Sequence, residues 1–353
     1  MPNLEELPPL QERGPVDRQD FVQEIVKPGL PVVLRRQFGN WPICQAARQG
    51  HQSAARYVAG WDRGHQVETV FGDPSIKGRF FYSEDLTGLN FEKRPSTIAA
   101  ALHAITSEVS ADRGSVYVQS VPVAEHLPGL ERDNPAGLAP EGVAPRIWIG
   151  GPLRVQTHFD LKENLAVVAA GRREFILFPP EQLANLYPGP FEHTLAGPPV
   201  SMVDLDDPDH ARYPRFAEAM SRARRAVLEP GDAIYIPYFW WHHIRSLDGF
   251  NILLNYWWND SRADLGSPYD ALLHTVLAIR DMPDRQRDIW RHVFGYYAFG
   301  SHGDPVAHLP PAARGALGVH DERSRLHLWA TLTQAAGMQT AKLRQIFGRG
   351  NKP

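Results

Sequence analysis

The triplet His158-Phe159-Asp160 sets an imidazole and a carboxylate two residues apart, at the end of a run that reads as a strand. In a strand, residues i and i+2 point to the same face, so both side chains reach one metal ion while Phe159 packs behind. A third donor, His242, lies in 238-YFWWHHIRSL-247, another strand-like run. Two histidines and one carboxylate on one side of a borderline divalent ion leave positions open for substrate and oxygen, the arrangement of non-haem Fe(II) oxygenases. His-x-Asp triplets are common, and among 15 histidines the pair taken alone reads better as a structural or surface pair than as ligands. Alternation sends Trp240, His242 and Ile244 to one face and Trp241, His243 and Arg245 to the other, so only one histidine of the pair joins the triplet. Both also fit as core-edge residues among the aromatics.

Composition bounds what such a site serves. The 353 residues, 43% apolar and 22% charged, suffice for a sizeable core and argue against global disorder. A formal net charge of −3 provides no broad basic field, which disfavours nucleic acid as a bulk electrostatic partner but leaves a local basic groove open. One cysteine, Cys44, excludes an intrachain disulfide and a cysteine-based zinc site. The first residues lack the cationic start and apolar core of a secretory signal, and no stretch approaches ~20 apolar residues. A soluble, cytoplasmic chain without a membrane partner is expected.

The elements that would hold these residues are mostly short strands. Residues 1 to 15 read as a loose lead-in, punctuated by Pro8, Pro9 and Gly14. A helix over 17–29, a strand over 31–36, strands over 65–73 and 79–85 and a helix over 96–105 capped by Ser96 follow. Strand candidates then crowd 115–121, 146–150, 153–160, 164–170, 173–179, 226–232, 233–237 and 251–258, separated by turns rich in Gly, Pro and Asp. That count predicts a mainly β chain with helices, its core a double-stranded β-helix, or jelly roll, of the cupin type. The turn 229-EPGD-232 before 233-AIYIP-237 delivers the WWHH segment as such a fold would, which favours the ligand reading of one histidine. The insert 181–222 is too long for a hairpin turn and is expected to cross the surface, with a short helix near 214–223. Past Asp260 the pattern turns helical: 267–281 with Ser267 as N-cap, 283–300, and 321–347 broken or weakened at Gly337. The expected organisation is α/β elements over 1–110, the catalytic jelly roll over 111–260 and a helical region over 261–353.

The blocks 157-THFD-160 with Asn164, 171-GRREFILFPP-180 and 229-EPGDAIYIPYFWWHHI-244 together resemble the JmjC family of cupin-fold 2-oxoglutarate oxygenases. Further matches are FFY at Phe80–Tyr82, YVQ at Tyr117–Gln119 and NYWW at Asn255–Trp258, and the likeness is greatest to the branch of the asparaginyl hydroxylase that inhibits hypoxia-inducible factor. The resemblance implies Fe(II) ligation by His158, Asp160 and His242. It implies a bond from Tyr117 to the far carboxylate of 2-oxoglutarate and polar contacts near that cosubstrate from Asn164 and Asn255. The basic anchor, a lysine in close relatives, falls on Arg173, whose guanidinium offers a fork where lysine offers a point charge. Strand parity supports Arg173 over Arg172, which shares a face with Glu174. A threonine of the family falls on Val155, and an active-site tryptophan on Trp257. The implied reaction consumes O2 and 2-oxoglutarate, releases succinate and CO2, and oxidises a substrate C–H bond. A peptide or protein side chain is the expected substrate, with a small molecule or tRNA as alternatives, and the helical region implies a homodimer. The readings outside this class are a cupin metalloenzyme that does not use 2-oxoglutarate and a catalytically dead binding module.

Overall fold

The computed structural model describes residues 4–107, 114–191, 194–195 and 197–348. The chain divides into two compact units, Met1–Arg262 and Ala263–Pro353. The first is built on fourteen strands: β1 Gln11–Arg13, β2 Val32–Leu34, β3 Gln66–Gly72, β4 Arg79–Phe80, β5 Phe91–Thr97, β6 Ser115–Pro122 and β7 Pro145–Gly150. The remainder are β8 Arg154–His158, β9 Glu163–Ala170, β10 Arg173–Phe178, β11 Arg224–Leu228, β12 Ala233–Ile236, β13 Trp241–Ser246 and β14 Asn251–Trp258. They form a nine-stranded sheet, β1-β2-β12-β9-β14-β7-β6-β3-β5, and a five-stranded sheet, β11-β10-β13-β8-β4. Mainly β with helices, the architecture is that expected of a cupin core.

Strand β9 shows why the sheets stack. Leu165 through Ala170 are all buried, a continuous apolar run rather than an alternating one. Such a run needs cover on both faces. On one face Leu165, Val167 and Ala169 join a core with Phe21, Ile25, Ile43, Val58, Ile98 and Leu102 from the N-terminal helices. On the other, Ala166 and Val168 pack with Phe175 and Leu177 of β10 and Ile234 and Ile236 of β12, which fills the space between the sheets. The site residues lie on that inner space.

Several local expectations needed correction. The lead-in carries β1, which pairs in parallel with β2. Helices Pro42–Arg48 and His51–Ala59 were not foreseen; their polar residues obscure the small apolar face made by Ile43, Cys44, Ala54, Ala55 and Val58. Strand β5 contains Pro95, which a sheet accepts at its edge, where β5 lies. The helix Ile98–Thr106 is capped by Thr97, whose hydroxyl accepts from the Ala100 N–H at 3.1 Å, and not by Ser96. The strand expected over 79–85 is only β4. In the long insert, the helix is Phe216–Arg222.

In the second unit, helix Pro268–Ile279 starts at Ser267, whose Oγ accepts from the Tyr269 N–H. Helix Asp284–Tyr297 follows. Glu322–Gly348 is one continuous 27-residue helix, so Gly337 does not break it. A single interior glycine costs only ~1 kcal/mol, less than the turns on either side contribute. No helix among the described residues is long and apolar enough to cross a membrane.

Candidate metal and cosubstrate site

His158 ends β8 and His242 is the second residue of β13, and the two are directly paired across the strands. Their rings lie 4.2 Å apart, centroid to centroid. Asp160 falls two residues past the end of β8, so pleat geometry alone does not aim it. Its carbonyl accepts the Phe239 N–H at 2.9 Å, which fastens it to the turn before β13. One ligand atom from each of His158, Asp160 and His242 lies within 4.8 Å of the others, and His242 Nε2 stands 3.7 Å from Asp160 Oδ2. A single ion with donor bonds of about 2 Å bridges such a spacing.

The ring nitrogens are set for this. His158 Nδ1 donates to the Gln156 carbonyl at 2.8 Å, and His242 Nδ1 to the Trp240 carbonyl at 3.0 Å. A carbonyl only accepts, so Nδ1 carries the proton on each ring and Nε2 keeps its lone pair. Burial, with His158 adding to it, lowers the pKa of His242 to about 4 against the opposing pull of Asp160. At neutral pH the ring is therefore the neutral ligand form.

His243 takes the other face. Its Nδ1 lies 3.3 Å from Thr157 Oγ1, and burial lowers its pKa to about 3. Beside it, buried Glu174 is clamped between Arg225 and Arg245, each at 2.6 Å, and Asp206 pairs with Arg154 and Arg245. The pairing of β8 with β13 slips between His242 and Ile244, a bulge that interrupts regular register beside the donor pair.

Arg173 opens β10 and is 1% exposed. In β10 it shares a face with Phe175 and Leu177, and Leu177 is paired with His242. The guanidinium and the His–Asp–His group thus face the same interior from opposite ends of one sheet. Arg173 Nε and Nη2 are buried without a hydrogen-bond partner among the described residues. Burial lowers its pKa, with Tyr117 opposing. Tyr117, also buried, has its phenol raised by burial and pulled back by Arg173. A guanidinium left unpaired in a protein interior is costly, so a small anion fits here. Arg172, by contrast, is exposed and bound to Asp248.

Asn164 and Asn255 are brought together. Asn255 Nδ2 donates to Asn164 Oδ1 at 3.3 Å, and Trp148 Nε1 donates to Asn255 Oδ1 at 2.7 Å. Trp148 had not been singled out. It stacks on Tyr117 and meets Trp257 edge-on, so it links the two ends of the inner wall. The signal was available in 146-RIWIG-150, whose alternation puts Arg146 and Trp148 opposite the core isoleucines. Val155 packs with Phe80, Tyr117 and Leu153 in an apolar patch.

Comparison with known proteins agrees with this geometry. The cupin-like domain family matches residues 18–264. The chain is 27% identical over 309 residues to the tRNA wybutosine-synthesizing protein 5 of Danio rerio, a stretch that covers 78% of this chain and 87% of that protein. It is 33% identical over 108 residues to the lysine-specific demethylase JMJ31 of Arabidopsis thaliana, 31% of this chain and 19% of that one. Over 115 residues it is 34% identical to the HSPB1-associated protein 1 of Rattus norvegicus, 31% of this chain and 23% of that one. The chain therefore spans most of the first relative and about a fifth of the other two. The family match takes in every strand but β1 and every donor and inner-face polar residue described above, and the chain belongs to the cupin-like domain family.

Proposed function

We propose that this chain is an Fe(II)- and 2-oxoglutarate-dependent oxygenase that hydroxylates a side chain of a peptide or protein. The observation that carries the proposal is the buried, unpaired Arg173 guanidinium on the same inner face as the His158, Asp160 and His242 donors. A bare metal-binding cupin has no need of a stranded cation on the same inner face as its metal donors. The same observation weighs against both a 2-oxoglutarate-independent metalloenzyme and a catalytically dead module.

His158, Asp160 and His242 would hold the metal, leaving open positions for cosubstrate and O2. When bound, Fe(II) and 2-oxoglutarate supply the oxidising power through decarboxylation to succinate and CO2. The chain's residues do the rest. Arg173 and Tyr117 would hold the far carboxylate, Asn164 and Asn255 would line the cosubstrate, and the Trp148–Trp257 wall would exclude water. No side chain needs to act as general base. Kinship to the asparaginyl-hydroxylase branch belongs to the same proposal and rests on the sequence blocks, as does a cytoplasmic location. A homodimer through the second unit is also proposed, supported by the exposed Leu326, Leu332 and Ile346 of its last helix.

One observation favours a second reading, in which the substrate is tRNA: the zebrafish relative with that modification in its name matches along 87% of its length. Anaerobic titration with Fe(II) and 2-oxoglutarate tests the oxygenase reading. A visible metal-to-ligand charge-transfer band is expected from the unaltered protein and none from Asp160→Ala. Absence of the band from both overturns the reading. Mass spectrometry for one added oxygen, on peptides and on tRNA nucleosides in parallel, separates the substrate classes.

A further inference from the structure

Arg146 is the first basic residue of β7, and its side chain points between the sheets. It alternates with Ile147 and Ile149, which belong to the core under the N-terminal helices, and shares its face with Trp148. Across the pair it stands opposite Asn255. Trp257, two residues on, stands opposite Asn164, the first inner-face residue of β9. Tyr117 pairs with Gly150, the other end of β7. Along this wall, then, the order is cosubstrate anchor, Trp148, Arg146. In backbone terms Arg146 lies across β14 from β9, near the end of the sheet at which β9 begins with Asn164.

The chain aims this residue with care. The pairing of β6 with β7 slips between Val118 and Val121, and Ser120 in that bulge takes φ +53°, a strained value for a residue with a side chain. The distortion brings two acceptors to Arg146. Its Nε donates to Ser120 Oγ at 2.6 Å, and its Nη2 donates to the Ser120 carbonyl. Both bonds are to neutral groups. No carboxylate pairs with Arg146 among the described residues, whereas Arg79, Arg154 and Arg245 of the smaller sheet each carry an acidic partner. A half-buried guanidinium fixed in direction, with its outer edge unspent, is built to receive an anion.

We propose that Arg146 is the specificity-determining residue for substrate: it binds a carboxylate lying close to the carbon that is oxidised. This rests on the peptide-hydroxylase reading and narrows it to a side chain in an acidic stretch, or an acidic side chain itself. A carboxylate is favoured over an RNA phosphate because the cation is solitary. Backbone recognition of nucleic acid spreads over many cations.

The test uses the full chain with Fe(II) and 2-oxoglutarate, and three probes: a degenerate peptide pool fixed on Asp or Glu, a matched pool fixed on Asn or Gln, and a degenerate oligoribonucleotide. Substrate-stimulated CO2 release is measured for the unaltered protein, Arg146→Gln and Arg146→Lys, after thermal melts verify that each folds. The acidic pool is expected to show a KM at least ~10-fold below that of the amide pool, the range for charge-assisted hydrogen bonds. Arg146→Gln should erase that difference, Arg146→Lys should restore part of it, and the KM for 2-oxoglutarate and the charge-transfer band should not move. An undiminished preference in Arg146→Gln overturns the proposal. So does stimulation by the oligoribonucleotide alone, or by no probe. Loss of the charge-transfer band in the unaltered protein would instead remove the oxygenase reading on which it rests.

Discussion

Arg173 is the residue at which energetics and function pull in opposite directions. A guanidinium at 1% exposure with two nitrogens unbonded lowers the stability of the empty protein. Its retention makes sense if a dianion completes it. Arg173→Leu should therefore leave the cosubstrate-free protein as stable or more so, while raising the KM for 2-oxoglutarate by about 100-fold, as expected for losing charge-assisted bonds. Thermal melts beside 2-oxoglutarate turnover check both halves. A fall in stability without a change in KM would make Arg173 a structural cation. The adjacent Arg172, exposed on Asp248, serves as the control.

At the scale of elements, the turn between β9 and β10 decides where that guanidinium lies. Gly171 takes φ +69°, and a Cβ there would stand 2.3 Å from the Phe250 carbonyl oxygen and 2.6 Å from Asn251 Oδ1. Backbone conformation and close approach both require glycine. Gly171→Ala should cost at least about 2 kcal/mol in urea unfolding and raise the KM for 2-oxoglutarate, because Arg173 begins two residues later. Unchanged values for both would mean that the turn relaxes without moving β10. The ligand Asp160 depends likewise on a neighbouring turn, in which Phe239 holds φ +67° and stacks on Phe159 at 4.0 Å.

For the whole molecule, the second unit raises the question of assembly. Its last helix exposes Leu326 at 64%, Leu332 at 53% and Ile346 at 54%, more apolar surface than a solitary helix in water normally carries. If that surface joins two copies, sedimentation velocity should give a dimer, and Leu326→Glu with Leu332→Glu should give a monomer that keeps the charge-transfer band. A monomer from the unaltered chain would remove the homodimer from the proposal.

Much of the design was legible without coordinates. Strand periodicity, the jelly-roll strand count and the types of His158, Asp160 and His242 follow from local chemistry: alternation, turn residues and donor preference act within a few positions. Strand parity likewise gave Arg173 an inner face, a geometric consequence of the pleat. Other features were hidden because they depend on contacts distant in sequence. Thr97 rather than Ser96 caps a helix, β1 forms only because β2 lies beside it, and Pro95 is tolerated only because β5 is an edge. Most of all, no reading of types and spacing shows which charges are satisfied. Glu174 finds Arg225 and Arg245, while Arg173 and Arg146 find no acid among the described residues, and that difference is settled where strands from separate parts of the chain meet.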